Sequence, residues 1–142
     1  MLLAWASRLL EIGLSVSFNG YHKHSAYIVA HADMPGFSRE DQELLASLLV
    51  AHRRKIAEVY FSGLPEEHAW MAKCLSVLLR ISVRLHRGRR ARALPQIQLT
   101  VKKNRLELKF PRGWLDKHPL TRADLEDERI RLHVVGFEMT AR

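Results

Sequence analysis

The hydrophobic pattern of this chain changes period once, and that change restricts the fold more than any other feature. Up to about residue 90, apolar side chains recur every three or four positions, the spacing of amphipathic helices. From residue 96 they alternate, first in IQLTVKK and then in RLELKF, the spacing of strands with one wet face. Two patterns in succession make the chain α+β: an all-α helical domain over residues 1–92, then a small ββαβ subdomain over 93–142.

Helices are expected at 2–12, where Gly13 can end the first, and at 21–33, with Tyr21, Ser25, Ile28 and Val29 near one face. A third is expected at about 39–57. Ser38 is a good N-cap for it, and Asp41, three residues on, completes a capping box. The longest should span 66–87, with Trp70, Met71, Leu75, Leu78, Leu79 and Leu85 toward the core. LSVSFNG reads as a loop, SGLP as a break and 88–95 as a basic linker. Lys103 and Asn104 form the expected hairpin turn. Thr121 and Asp124 predict a second capping box, opening a helix that carries Leu125, Ile130, Leu132 and Val134 to Gly136 before a last strand at FEMT.

Composition narrows the class. Of the 142 residues 47% are apolar, enough for a packed core and too many for wholesale disorder. Cys74 is the single cysteine, so no internal disulfide forms, which suits a reducing compartment. Its neighbours Met71, Leu75 and Leu78 mark it as a structural thiol. No apolar run reaches membrane-spanning length. The opening MLLAWASRLLEIG carries Arg8 and Glu11 with no basic stretch before it, so it reads as an amphipathic helix and not as a signal peptide. The cytoplasm is the expected location. A helix that starts at residue 1 without lead-in suits a piece of something longer.

Net charge is +8 and unevenly placed. Six arginines fall between 80 and 92 (Arg80, Arg84, Arg87, Arg89, Arg90 and Arg92) with no acid among them. Such a run attracts polyanions: nucleic acid, polyphosphate or an acidic membrane surface. The plain alternative is a solubilising face. Nucleic acid ranks low, because the run lacks interleaved aromatics for stacking and any recognisable reading motif.

The segment NGYHKHSAYIVAHADMPGFS poses a second question, whether its histidines bind metal. His22 and His24 are two apart, so on a helix they face away from each other. His31 shares a face with His24 but lies two turns on. His52 opens HRRK, which sets it beside Arg53, Arg54 and Lys55. Crowded cations repel a divalent ion and favour an anion, so phosphate contacts are the better expectation. The plain alternative is that each histidine is solvated or satisfies a local hydrogen bond.

These residues also carry a resemblance. LLEIGLSVSFNGYHKHSAYIVAHADMPGFSREDQELLASLLVAHRRK resembles the C-terminal region of the exopolyphosphatase / guanosine pentaphosphate phosphatase family. The family pattern runs close to LHEIGL, GYHKHSAYI, DMPGFS and a helix ending in HR-K, and KFPRGWLDKHPLTRADLE is similar to its tail. The resemblance spans essentially all of the chain. It implies an HD-like helical domain followed by a small α/β domain. Nothing in these 142 residues resembles the family's two N-terminal actin-like ATPase domains, which hold the hydrolytic site; Mg2+ is implied only for those domains. What is implied here is a C-terminal polyphosphate-binding or assembly module, catalytically silent alone, forming a homodimer, with inorganic polyphosphate or guanosine pentaphosphate as the anion.

A residual HD-type metal-dependent phosphohydrolase is the alternative. Where that fold carries a His-Asp pair this chain has Leu10-Glu11, and Val83 stands where a late aspartate belongs. Glu11, His24 and His52 mark a vestigial metal position, too few for a closed site that activates water. The expected anion-binding set is therefore His22, Lys23, His24, His52, Arg53, Arg54 and Lys55 in one patch, with Arg80, Arg84, Arg87, Arg89 and Arg90 in a second. No catalytic residue and no metal ligand is expected.

Overall fold

Five α-helices and a three-stranded mixed sheet make up the regular structure of residues 1–87 and 93–142, the part that this computed structural model describes. The chain is α+β, with the switch of period marking where strands replace helices. By its contacts it divides into two compact units, Met1–Leu79 and Arg80–Arg142. The division falls inside the longest helix, earlier than the change of pattern near 93.

In the first unit α1 (Leu2–Leu9) is followed by a 3-10 turn (Ile12–Ser15), then α2 (Tyr21–His31), α3 (Arg39–Ala51), a second 3-10 turn (Glu58–Tyr60) and most of α4 (Glu66–Leu85). Its core joins Ala6, Val29, Leu45, Leu48, Leu49 and Leu79, with Leu3, Trp5, Leu9, Leu10 and Phe37 packed around them. The capping box forms as expected: the Ser38 hydroxyl accepts from the Asp41 amide and the Asp41 carboxylate accepts from the Ser38 amide. The Gln42 side-chain amide donates to the carbonyls of Val29 and Ala32, at 3.0 and 2.8 Å. It thereby satisfies the open end of α2, where helix geometry supplies no donor.

Gly13 has a different job from the one expected. α1 ends at Leu9, ahead of it, and Gly13 lies buried against α2. A Cβ there would sit 2.1 Å from the Tyr21 carbonyl oxygen and 2.5 Å from the Ser25 nitrogen, closer than any real contact. The Ser25 hydroxyl fastens the approach, accepting from the Gly13 amide at 2.8 Å and donating to the Leu10 carbonyl at 3.0 Å.

Two expectations about helices fail for reasons of packing. α3 stops at Ala51, well short of 57. Ile56 and Phe61 are buried, and the chain must leave the helix axis to bring them to the core. Arg54 makes that turn in the left-handed region, at φ 60°, a conformation few non-glycine residues adopt. Trp70 and Met71 are exposed, not in the core. The buried side of α4 includes Ala72, Ser76, Val77 and Leu79, a stripe rotated away from the one that the large side chains suggest. Cys74 is half-buried, and burial pushes its thiol pKa up, as suits an inert structural cysteine.

In the second unit β1 (Gln98–Lys102) and β2 (Arg105–Lys109) form the antiparallel hairpin, Gln98 opposite Lys109 and Lys102 opposite Arg105. Lys103 takes a positive φ of 56° in the turn, as tight hairpins require. β3 (Glu138–Ala141) adds to β2 in parallel, with Arg105 opposite Glu138, so the sheet order is β1-β2-β3. Parallel neighbours need a crossover, and α5 (Pro119–Val134) supplies it. Leu106 and Leu108 of β2, Met139 of β3, and Leu125 and Leu132 of α5 are buried, with Phe110, Leu115 and Phe137. β1 is the edge strand and stays exposed throughout, Leu99 and Val101 included. Its alternation therefore marks a strand without marking a buried face.

α5 corrects the second capping box. It begins at Pro119, not after Thr121, and His118 precedes it. Proline at the first helical position has its φ already set and lacks only an amide that would have no partner. Ile130 and Val134 are exposed; Leu125, Glu128 and Leu132 form the buried row.

Candidate functional site

α2 starts and α3 ends beside one another in the first unit, and the expected anion-binding residues of the first patch are placed by these two ends. Gly20 sets the start of α2 from the left-handed region, φ 68°, where glycine carries no penalty. His22 then falls on the buried row with Ser25 and Val29, while Lys23 points to solvent and His24 is half-exposed. His52 caps α3, and Arg53, Arg54 and Lys55 follow in the turn.

The side chains converge around His22. Its ring lies 6.4 Å from Tyr21 and 6.5 Å from His52, nearly perpendicular to both. His22 is only 3% exposed, and its Nδ1 has no hydrogen-bond partner. Burial above all, then the charges of Arg53, Lys23 and Arg54 and the neighbouring His24, hold its pKa below the ordinary imidazole value. The cationic form of the ring is thus disfavoured, with three cations acting on it together. His52 donates from Nδ1 to the Leu49 carbonyl at 2.6 Å. His24 donates from Nε2 to the Asn19 carbonyl at 3.1 Å.

Two aromatic side chains, neither of them among the expected site residues, complete the patch. The Arg53 guanidinium lies over the Tyr21 ring at 4.6 Å and over the Phe18 ring at 5.4 Å. Both are cation–π distances. Phe18 is 71% exposed. An aromatic within the polar loop SVSFNG, just before GYHK, was the available signal. Among the described residues no carboxylate lies within ion-pair distance of Lys23, Arg53 or Lys55.

The second expected patch is built otherwise. Arg80 is buried and its Nε donates to the Glu128 carboxylate at 2.5 Å. Arg84 donates to Glu128 at 3.1 Å and to Asp127 at 3.0 Å. Arg87 donates to Asp124 at 2.6 Å. The acids missing from the run between 80 and 92 arrive from α5. Arg89, Arg90 and Arg92 lie outside the described residues. The cavity of about 210 Å³ in this unit has the same character: Arg122 and Arg129 line it beside Leu115, Leu125 and Met139, and these arginines pair with Asp116 and Glu126.

Of the residues expected at a vestigial metal position, Glu11 is exposed just before the first 3-10 turn, His24 is turned to Asn19 and His52 to Leu49. Among the described residues no three His, Cys, Asp or Glu side chains are grouped so as to hold a metal ion. No helix among them is long and apolar enough to cross a membrane.

The likeness to known proteins agrees with this architecture. A family model described as Ppx/GppA phosphatase, domain III, matches residues 1–129. The guanosine-5'-triphosphate,3'-diphosphate pyrophosphatase of Pseudoalteromonas translucida (strain TAC 125) is 36% identical over 138 residues, 97% of this chain and 28% of that protein. Proteins of the same name from Pseudoalteromonas atlantica (strain T6c / ATCC BAA-1087) and from Vibrio cholerae serotype O1 (strain ATCC 39541 / Classical Ogawa 395 / O395) are each 34% identical, over 98% and 99% of this chain. The chain therefore belongs to the Ppx/GppA phosphatase family. It spans 28% of the length of these relatives.

Proposed function

We propose that this chain is a polyphosphate-binding module of a Ppx/GppA-family phosphatase, corresponding to the C-terminal region of the longer proteins, and that it binds the anion without hydrolysing it. The observation that carries this reading is the placement of Arg53 over the Tyr21 and Phe18 rings, beside the buried His22 whose Nδ1 has no hydrogen-bond partner, with no carboxylate in ion-pair reach of Lys23 or Arg53 among the described residues. Lys23 and Arg53, without a carboxylate in ion-pair reach, repel one another, and an anion relieves that repulsion. Arginine grips two phosphate oxygens at once, and lysine supplies mobile charge. The names of the relatives point the same way, since guanosine triphosphate diphosphate is itself a dense polyanion. Arg80, Arg84 and Arg87 are left out of the binding set, because their charges are already matched by acids of α5.

The test is a titration of the chain with long and short polyphosphate at two salt concentrations. Binding should weaken steeply with salt, through counterion release. Arg53→Glu with Arg54→Glu should weaken it far more than Lys102→Glu with Lys103→Glu, an equal change of charge at the exposed hairpin turn. Equal behaviour of the two variants would reduce the patch to solvated charge. The same samples, followed by sedimentation, read out the homodimer that belongs to this proposal. Incubation with polyphosphate, with and without Mg2+ or Mn2+, should release no phosphate; turnover lost on mutating Glu11 or His24 would overturn the silent-module reading.

A further inference from the structure

We propose that the outer edge of β1 is a docking surface for β1 of a second copy of this chain, the two strands pairing antiparallel about an axis at Thr100 to make one continuous sheet. This goes beyond the anion-binding reading and gives a surface to its homodimer. The backbone shows which groups are free. The Asn104 carbonyl accepts from the Glu138 amide at 2.9 Å and the Leu108 carbonyl from the Arg142 amide at 3.0 Å, so the even-numbered residues of β2 bond toward β3. In an antiparallel ladder, residues opposite one another either bond across the pair or both turn away from it. Leu99 stands opposite Leu108, and Val101 opposite Leu106. The amides and carbonyls of Leu99 and Val101 therefore point away from β2, along the free edge of the sheet. The two-residue turn at Lys103 and Asn104 sets the same phase, with Lys102 and Arg105 as the bonded pair that closes it.

Side chains and charge select both the partner and the register. Leu99 and Val101 lie on the same sheet face as the buried Leu106 and Leu108, yet are 45% and 55% exposed. With Thr100 on the axis, Leu99 of each copy meets Val101 of the other. Every outward amide and carbonyl of both strands then has a partner, and each leucine packs beside a valine as a cross-strand pair. Lys102 is the only charged residue of the strand, and in this register it faces the uncharged Gln98 of the other copy. A parallel, in-register pair would set Lys102 beside Lys102, and like charges directly opposite are destabilising. Strands of 5 residues bury less than a standard interface, so the association is weak and depends on concentration.

The experiment has two readouts on the full chain, without any polyanion. In sedimentation, the dimer fraction of the unaltered chain should rise with protein concentration, and Val101→Pro should stay monomeric. Proline there removes an outward amide and no bond to β2, so the hairpin remains. The register is read by single cysteines at exposed positions in a Cys74→Ser chain. Thr100→Cys meets itself across the axis at a non-hydrogen-bonded position, where Cβ atoms come close enough for a disulfide, and should give a covalent dimer on mild oxidation. Gln98→Cys faces Lys102 of the other copy and should remain single. A dimer that persists in Val101→Pro, or equal cross-linking of the two cysteine variants, would place the contact on another face; strand pairing would fall and the homodimer would stand. A chain that is monomeric at every concentration, with Thr100→Cys not cross-linked, would overturn strand pairing and homodimer together. The polyphosphate titration reads the first unit and is decided separately in either case.

Discussion

Around Arg53 and around Arg84 the chain gathers similar positive charge, and in sequence the second group looks the stronger. In the fold the described members of the second group, Arg80, Arg84 and Arg87, are neutralised. Glu128, Asp127 and Asp124 come from α5, more than thirty-five residues further on, and meet Arg80, Arg84 and Arg87 at hydrogen-bonding distance. The group beside His22 receives rings where the other receives carboxylates. Charge density along a sequence therefore says little about charge available to a ligand. What decides is whether a later element carries the opposite charge to the same place.

The largest effect expected from this contrast is on stability. Arg80→Met leaves the buried Glu128 with only the Arg84 guanidinium as partner, and should lower stability by about 3 kcal/mol, whereas Arg80→Met with Glu128→Leu should recover most of the loss. Denaturant midpoints of the two variants measure it. A loss in the single variant no greater than a surface substitution would place Arg80 outside the structural network. Next in size, Arg53→Glu with Arg54→Glu should weaken polyphosphate binding about a hundredfold, since hydrogen bonds to charged groups contribute about 1.5–3 kcal/mol each. Arg53→Glu alone should weaken binding in the same direction and shift the midpoint far less than Arg80→Met does.

Ser38→Ala should cost about 1 kcal/mol of stability through the lost helix cap, with polyphosphate affinity unaffected; a drop in affinity would tie the patch to the start of α3. The smallest effect is on pH dependence. Because the His22 pKa is lowered in the folded state, the unfolded chain takes up that proton first. Stability should therefore fall as pH drops below about 6.5, the ordinary imidazole value, and His22→Gln should flatten the slope. A bound polyanion favours the imidazolium, so polyphosphate affinity should rise over the same interval. Titrations at pH 7.5 and 5.5 separate the two signs, and affinity independent of pH would put the anion out of reach of His22.

Much of this was legible residue by residue. The Ser38–Asp41 cap, the Lys103–Asn104 turn, the strand at 138–141 and the opposite facing of His22 and His24 follow from interactions within a few positions of sequence. The second cap at Thr121 misled because Pro119 offers a competing local start, one that needs no side-chain hydrogen bond. Trp70 misled because size was read as burial, while a helix can turn either of two apolar sides inward.

By itself the sequence determined the period of each segment, and hence the order of helices and strands, because backbone geometry ties side-chain spacing to local conformation. It also determined family membership through GYHKHSAY, DMPGFS and KFPRGW. Only the tertiary structure decided which cations are matched by acids. Coulomb interactions act through space and fall off over a few ångströms, with no regard for position along the chain. The folding of α5 onto Arg80, Arg84 and Arg87, and the absence of any acid beside Arg53 among the described residues, arise where distant segments meet.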